Sequence, residues 1–285
     1  MPFLNEKENI GILFAISAFF CFSVLDVFQK YTVVYHSIFQ ILLIKYFFVL
    51  LLSLFESKRK NNNFFWKSQN IKFQILRSFL SLLESSCFVI SFRYLSLADA
   101  HSVASLAPVL VVVLSVLLLR ESVGINTWIA IFIGFIGVLI ILRPGSSIFD
   151  VKSLIPLLGA FFLGLYQIAT RKVSESDSDE TSLFYTSLVG LLLLSVLTVI
   201  YWIPLTPISY FLFVGIGIFF SLGYYFQIIA LSNARASIIQ PFHYTLIFWA
   251  IIFGYFVYND LPDFPTVLGA CIISASGIYV IRSRI

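Results

Sequence analysis

Charged side chains are scarce in this sequence. Only 11% of its 285 residues are Asp, Glu, Lys or Arg, whereas 60% are hydrophobic. A soluble domain carries roughly 25% charged residues, so this chain has too few to cover a surface in contact with water. Its apolar residues come in blocks of roughly 17–25, the length that crosses the hydrocarbon core of a bilayer. The composition therefore indicates a polytopic membrane protein.

Motifs for catalysis, metal binding and nucleotide binding are also absent from the sequence. It contains no HExxH, GxSxG, DxD or Walker loop, and its three cysteines form no CxxC pair. The three histidines, His36, His101 and His243, are too scattered for metal-ligand spacing. An ATP-driven pump needs a nucleotide-binding domain, and a channel needs a repeated filter sequence. We therefore expect no cofactor, no metal and no nucleic-acid partner.

Ten apolar segments are long enough to span a membrane. They are residues 10–29, 38–55, 74–95, 101–119, 124–142, 153–172, 181–202, 208–231, 237–258 and 264–282. Polar residues 56–72 are too hydrophilic to enter lipid, and Arg143-Pro144-Gly145 ends a helix because proline lacks an amide hydrogen. The sequence thus predicts an all-α membrane protein of ten transmembrane helices.

The distribution of lysine and arginine predicts the orientation. With the N-terminus in the cytoplasm, thirteen basic residues fall on the cytoplasmic side and four on the other, and Lys45 lies inside a span. Cytoplasmic loops carry the excess of Lys and Arg. We therefore expect both termini to lie in the cytoplasm, in a multi-pass protein of the bacterial inner membrane.

The two halves of the chain, residues 1–145 and 146–285, resemble each other. Residues 18–20 with Lys30 recur as residues 160–162 with Lys172, and residues 95–100 recur as 231–236. Each half has five spans, an odd number, so the second half must be inverted relative to the first. Inverted repeats are typical of secondary transporters, with the substrate site near the midplane. The alternative is chance similarity between apolar helices.

Several segments carry a family likeness. These are residues 22–31, residues 93–108 (RYLSLADA through Pro108), Arg120-Glu121, Gly134 and Gly137, residues 142–144, Tyr244 and residues 259–269. In this order they resemble the drug/metabolite transporter superfamily, specifically its EamA-type ten-helix carriers. The resemblance covers the whole chain and implies two five-helix repeats and metabolite transport.

The chain departs from this family at two positions. Family members often carry arginine in the second helix, where this chain has Lys45, and glutamate at the end of the ninth, where it has Asp260. Asp26 with Lys30, followed by His36-Ser37, is similar to a branch that includes S-adenosylmethionine carriers. The resemblance therefore implies a carrier and offers S-adenosylmethionine uptake as one alternative.

Charged residues within predicted spans need a partner, a hydrated cavity or a function. Asp26, Lys45 and Glu84 lie in the first three spans at depths that allow one shared cavity. Low-dielectric surroundings favour the neutral form of a carboxyl group, so Glu84 and Asp26 are candidates for proton coupling. The alternative is a structural pair between Asp26 and Lys45. For Lys30 and Arg77 the simplest expectation is snorkelling to the interface.

The second half offers aromatic and amide groups rather than charges. Tyr166 and Gln167 in the sixth span and Tyr244 and Trp249 in the ninth are the candidates to contact substrate. Tyr and Trp stack on flat or cationic groups, although an interfacial aromatic belt is the alternative. Pro108 and Pro241 fall inside the fourth and ninth spans and predict kinks that serve as gates or are merely tolerated.

These features predict a secondary carrier for a small polar or zwitterionic metabolite that works by alternating access, either proton-coupled or by exchange. The expected partners are this small-molecule substrate and the lipid bilayer, with the protein a monomer or homodimer. A hypothesis of another class is a membrane-embedded enzyme or lipid-handling protein that uses Glu84 and His243. That hypothesis lacks a convincing nucleophile or metal site, so we expect the protein not to be an enzyme.

Overall fold

A computed structural model of the chain describes residues 6–120, 124–142, 152 and 154–259, together with residues 263–265, 267–269, 271–272, 275–276 and 279. Within these residues the fold is helical throughout and has no strand. Asp260, residues 143–151 and nearly half of the predicted tenth span lie outside the described residues.

Eleven helices are defined over their full length. They are α1 Glu6–Tyr35, α2 Ile38–Arg59, α3 Ile71–Tyr94, α4 Leu97–Ala104, α5 Ala107–Leu119, α6 Ile125–Leu142, α7 Leu154–Val173, α8 Asp179–Ile200, α9 Pro207–Asn233, α10 Ala236–His243 and α11 Thr245–Tyr258. Side-chain caps begin several of them. Ser37 forms a capping box with Gln40 at the start of α2, and Ser178 and Thr206 cap α8 and α9.

Eight helical stretches in the described residues are long and apolar enough to cross a membrane. Six of them are α1, α2, α3, α7, α8 and α9, and the other two are Asp99–Leu119 and Ala236–Tyr258. The predicted fifth span corresponds to α6. Within α6 the stretch Trp128–Gly137 is apolar but shorter than the eight stretches above. Large apolar side chains such as Val199, Phe211 and Phe256 are more than 60% exposed on the outside of the bundle. This apolar exterior suits lipid, because a soluble protein rarely exposes so much contiguous apolar surface.

The two ends of the bundle differ in their charge. One end, here called the basic end, contains residues 58–72, 171–180 and 233–236; the opposite end contains residues 35–38, 94–97 and 200–207. Helices α1, α2 and α3 run alternately between these two ends, and so do α7, α8 and α9. At the basic end Arg235 approaches Glu8, with 3.7 Å between Nε and Oε1.

The fourth span of each half is broken at the same place. Helices α4 and α10 are each eight residues long, begin 139 positions apart and are followed by α5 and α11. Arg120 and Asn259, again 139 positions apart, end α5 and α11 in the left-handed conformation, with φ of 54° and 53°. Repeated local geometry at a constant offset supports the internal repeat seen in the sequence.

The most extensive contacts between helices join one half of the chain to the other. Helix α1 packs on α9, and in the same way α7, the counterpart of α1, packs on α3. Helix α2 packs on α8. Helix α5 packs on α7, just as α11 packs on α1. The two halves therefore interleave. Close approach depends on small residues: a Cβ on Gly190 would overlap the ring of Tyr46, which is fully buried. Small residues at such contacts are what allow membrane helices to pack tightly.

Candidate functional site

A cavity lies in the middle of the bundle, between the two halves. Its volume, measured as the space open to the centre of a water molecule, is about 80 Å³, and a single water needs only about 10–15 Å³ on this measure, so the cavity has room for several waters or a small ligand group. Helices α1, α2, α3 and α4 of the first half and α7, α9, α10 and α11 of the second line it. The polar residues in its lining are Asp26, Gln29, Lys45, Glu84, Ser85, His101, Tyr166, Gln167, Tyr224, Gln227 and His243.

Asp26 is held by two hydrogen bonds. Its Oδ2 lies 2.8 Å from His101 Nε2, and its Oδ1 accepts a 3.0 Å bond from Gln29 Nε2. Both side chains of the Asp26–His101 pair are close to fully buried, at 11% and 6% exposed. Because His101 is on α4, this bond ties the broken fourth span of the first half to α1. Asp26 therefore pairs with His101 rather than with Lys45, which was the structural alternative from sequence.

Lys45 and Glu84 bring charges of both signs to the same cavity. Lys45 Nζ donates to Ser85 Oγ at 2.7 Å and lies 4.6 Å from the centre of the Phe220 ring. Glu84 lines the same cavity as Lys45 and Asp26. The three charges act on one another because the surroundings are poorly screened. A cavity of this kind can hold both the anionic and the cationic part of a zwitterion.

Beneath the cavity, toward the basic end, lies a fully buried arginine. Arg77 donates to Ser182 O at 2.5 Å, to Thr186 Oγ1 at 2.7 Å and to Tyr224 OH at 3.3 Å. Its guanidinium carbon is 5.9 Å from the centre of the Tyr166 ring. The expectation that Arg77 snorkels is wrong, since its side chain is 0% exposed. It instead joins α3 to α8 and α9 and supports the two tyrosines that line the cavity.

Two glutamines differ in how their amides are satisfied. Gln167 Oε1 accepts a 2.6 Å bond from Gln240 Nε2, which links α7 to α10. Gln227 on α9 is 2% exposed, and neither of its amide atoms has a hydrogen-bond partner among the described residues. A buried polar group without a partner costs roughly 1–3 kcal/mol. Gln227 is therefore a polar group that a ligand or water can satisfy from the cavity.

At the basic end, ionic and polar contacts join the halves. Glu56 accepts bonds from Arg59 Nη2 at 2.6 Å and from Tyr225 OH at 2.8 Å. Lys60 Nζ lies 2.7 Å from Glu180 Oε1. Asp177 also accepts bonds from Ser68, the Gln69 amide and Gln74 in the first half. These contacts connect α2, α3 and the segment between them to α8 and α9.

At the opposite end, other bonds join the same two halves. His36 Nε2 lies 2.7 Å from Ser209 Oγ, and Gln40 Nε2 donates to Ile203 O at 2.8 Å. Thr198 Oγ1 donates to Phe39 O at 3.1 Å. The cavity thus lies between two sets of contacts, each of which crosses from one half to the other.

Five of the residues selected from the sequence lie together around the cavity. They are Asp26, Lys45, Glu84, Tyr166 and Gln167. Two others lie elsewhere: the Tyr244 hydroxyl is next to Gly134 and Ser276, and Trp249 packs edge-on against Phe20 at 5.1 Å. Both belong to the fourth span of the second half but face away from the cavity. Helical spacing alone did not identify which side of that helix faces the other half.

The two prolines lie at the helix breaks. Pro108 is in the first turn of α5, directly after the break between α4 and α5. Pro241 is in α10, three residues before the break at Tyr244. Proline lacks the amide hydrogen that would continue the helical bonding, which explains why both spans are interrupted here.

Sequence reasoning selected neither His101 nor Gln227 as a substrate-binding residue, although both line the cavity. His101 is an isolated polar residue near the start of its span, and it belongs to no periodic pattern that would have distinguished it. Gln227 lies three residues after Tyr224 on the same helix face, which was a usable signal. The structure also brings six aromatic rings to the cavity: Phe19, Phe22, Phe88, Tyr166, Phe220 and Tyr224. In the described part of the chain, no group of three or more His, Cys, Asp or Glu is placed to bind a metal.

Comparison with known proteins agrees with the two-fold architecture. The profile of the EamA-like transporter family matches the chain twice, over residues 9–143 and over residues 153–283. The chain belongs to the EamA-like transporter family. Membership places it in the drug/metabolite transporter superfamily and, with its apolar helices, makes it a multi-pass membrane protein.

Curated relatives of this EamA-like transporter are transporters as well. A riboflavin transporter of Vibrio cholerae serotype O1 is 29% identical over 216 residues, covering 75% of this chain and 72% of that protein. An S-adenosylmethionine uptake transporter of Rickettsia prowazekii is 25% identical over 276 residues, covering 96% and 93%. A crystal structure with 14% sequence identity matches with a TM-score of 0.78 over 96% of this chain and 97% of that one. That likeness supports the fold.

Proposed function

We propose that this EamA-like transporter is a secondary carrier that moves a small polar or zwitterionic metabolite across the bacterial inner membrane by alternating access. The observation that carries the proposal is the cavity between the halves, which holds Asp26, Lys45 and Glu84 in one space. Charges of both signs in a membrane interior are costly to maintain. A substrate with complementary charges, such as an amino acid or a related metabolite, explains why all three are present.

In this proposal the chain has ten transmembrane helices in two inverted repeats, residues 1–145 and 146–285, with both termini in the cytoplasm. The substrate contacts Asp26, Lys45 and Glu84 with its charged groups and Tyr166 and Gln167 with its body. His101 holds Asp26 in place. Glu84 and Asp26 are the candidate proton carriers.

Alternating access requires that the two sets of contacts between the halves open in turn. The bonds of Glu56 and Glu180 close the basic end, and those of His36 and Gln40 close the opposite end. Helix breaks at Pro108 and Pro241 allow α4 and α10 to tilt separately from the helices that follow them. Interrupted helices at the repeat interface are the usual position of a transporter site.

Uptake of S-adenosylmethionine is an alternative within the same superfamily. Relatives that span nearly the whole chain are named as carriers of this compound, which is zwitterionic and also cationic. Riboflavin, the compound named for another relative, lacks such charges. The charged cavity therefore favours the zwitterionic class for this chain.

Transport by purified protein in liposomes tests the proposal. Radiolabelled amino acids, S-adenosylmethionine, nucleosides and riboflavin would be offered in both directions of a proton gradient. We expect uptake of at least one compound, and we expect Glu84→Gln to lower it at least tenfold while the protein remains folded. Glu175→Gln is the matched control, because Glu175 is exposed and pairs with Lys172 at 3.0 Å on the surface. Full transport by Glu84→Gln would refute the role of Glu84, and no uptake of any compound would count against a carrier.

A further inference from the structure

We propose that the cavity binds an elongated metabolite by its two ends: a charged end beside Asp26, Lys45 and Glu84, and a flat heterocycle beside Gln227. This inference rests on the carrier function proposed above and narrows its substrate class. The heterocycle is recognised by a hydrogen-bond donor and an acceptor that lie side by side on its edge.

The two ends of the cavity are separated along α9. Lys45 Nζ lies over the ring of Phe220, so this charge is level with that ring. Gln227 is seven residues further along the helix toward the basic end, which corresponds to about 10 Å at 1.5 Å per residue. The side chain of a simple amino acid is too short to touch both. A ligand that uses both ends must be about 10 Å long.

Gln227 provides the chemistry of the second end. Its amide presents one acceptor and one donor group in a single plane, and both are unpartnered although the residue is 2% exposed. Two other buried glutamines in the same region leave only the amide oxygen unpartnered, because Gln240 Nε2 donates to Gln167 and Gln29 Nε2 donates to Asp26. A partner with the complementary donor and acceptor would satisfy both atoms of Gln227 at once.

Aromatic rings line the same cavity as this amide. The centre of the Tyr224 ring is 5.5 Å from that of Tyr166 and 5.5 Å from that of Phe220. Tyr224 and Gln227 are three residues apart, so they lie on the same face of α9. Rings at this spacing contact flat groups through stacking, while an amide beside them binds the edge. Together they favour a heterocycle over an aliphatic chain.

Binding measurements with compounds that have one or both ends test the inference. The probes are L-methionine (zwitterion without a ring), adenosine and riboflavin (rings without a zwitterion) and S-adenosylmethionine (both). Ligands that bind the folded state raise its apparent stability, so affinity can be taken from thermal shifts in detergent. We expect the compound with both ends to bind at least tenfold more tightly than methionine or adenosine.

Replacement of Gln227 gives the sharper test. Gln227→Met keeps the length of the side chain but removes both polar atoms, and should weaken binding of the ring compounds at least tenfold with methionine binding unchanged. Gln69→Met is the control, because Gln69 is exposed in the segment between α2 and α3 and does not line the cavity. If Gln227→Met is poorly folded by gel filtration, Gln227→Leu replaces it, because it also lacks both polar atoms, and should show the same selective loss.

Three results would overturn the inference. The first is that methionine binds as tightly as the ring compounds. The second is that the ring compounds bind the Gln227 variants as well as they bind the unchanged protein. The third is that none of the probes binds. If liposomes still take up a compound of another shape, the carrier function stands and only the inference fails. If nothing is transported, both fail.

Discussion

The hydrogen bond between Asp26 and His101 allows a quantitative prediction. The two side chains meet at 2.8 Å across α1 and α4, and both are nearly buried. We expect a double-mutant cycle of Asp26→Ala and His101→Ala to show that the two residues stabilise each other. The bond between Asp26 and Gln29 is lost in both mutants that lack Asp26, so the cycle isolates the interaction with His101.

The expected size follows from the geometry. A hydrogen bond to a charged group contributes roughly 1.5–3 kcal/mol to the stability of a soluble protein. Within membrane bundles, measured couplings between hydrogen-bonding side chains average about 0.6 kcal/mol and reach about 1.7. A short bond to a buried carboxylate belongs near the top of the second range. We therefore expect a coupling of about 1–2 kcal/mol.

Equilibrium unfolding of the four proteins in detergent measures this coupling. The same cycle between Asp26 and His243 is the matched control, because His243 lines the same cavity and packs on Phe19 rather than on Asp26. That control should be additive within about 0.5 kcal/mol. Additive effects of Asp26 and His101 would refute the reasoning, as would a coupling that is as large for His243.

Two further predictions concern packing and closure. Gly190→Ala should destabilise the protein by roughly 1–3 kcal/mol, because the new methyl group meets the fully buried ring of Tyr46. The control in the same unfolding assay is Gly124→Ala, since nothing lies within 4 Å of a Cβ placed on Gly124. Equal stability of the two alanine variants would contradict the packing at Gly190. Tyr225→Phe removes the 2.8 Å bond to Glu56 and should cost roughly 1.5–3 kcal/mol in the same assay. It should also make cysteines introduced into the cavity label faster from the basic end, and an unchanged labelling rate would show that this bond does not help to close that end.

The order of the helices could be predicted from the sequence because each span is a long apolar segment between polar connections. The predicted boundaries of α2 and α3 lie within about four residues of those in the structure. The breaks in the fourth and ninth spans follow from Pro108 and Pro241. By contrast, the ten-helix count stays a prediction, since only about half of the tenth span lies within the described residues.

The site was predicted less completely. Asp26, Lys45 and Glu84 were selected because charged residues are rare within apolar spans and are easily seen in the sequence. Tyr244 and Trp249 were chosen for depth and chemistry, but their helix turns them toward α6 and toward Phe20. His101 and Gln227 gained importance only from what surrounds them, namely an aspartate on another helix and a cavity that leaves an amide unpartnered.

The sequence by itself determined that this chain lies in a membrane, where its helices begin and end, and that its two halves repeat. These properties depend on local composition, because the cost of placing polar residues in hydrocarbon acts on each segment separately. Tertiary structure alone decided which polar groups meet: Asp26 with His101, Arg77 with α8, and Gln227 with the cavity. Those contacts depend on how helices from opposite halves rotate and interleave, and in a segment that is apolar on nearly every face the sequence carries little information about that rotation.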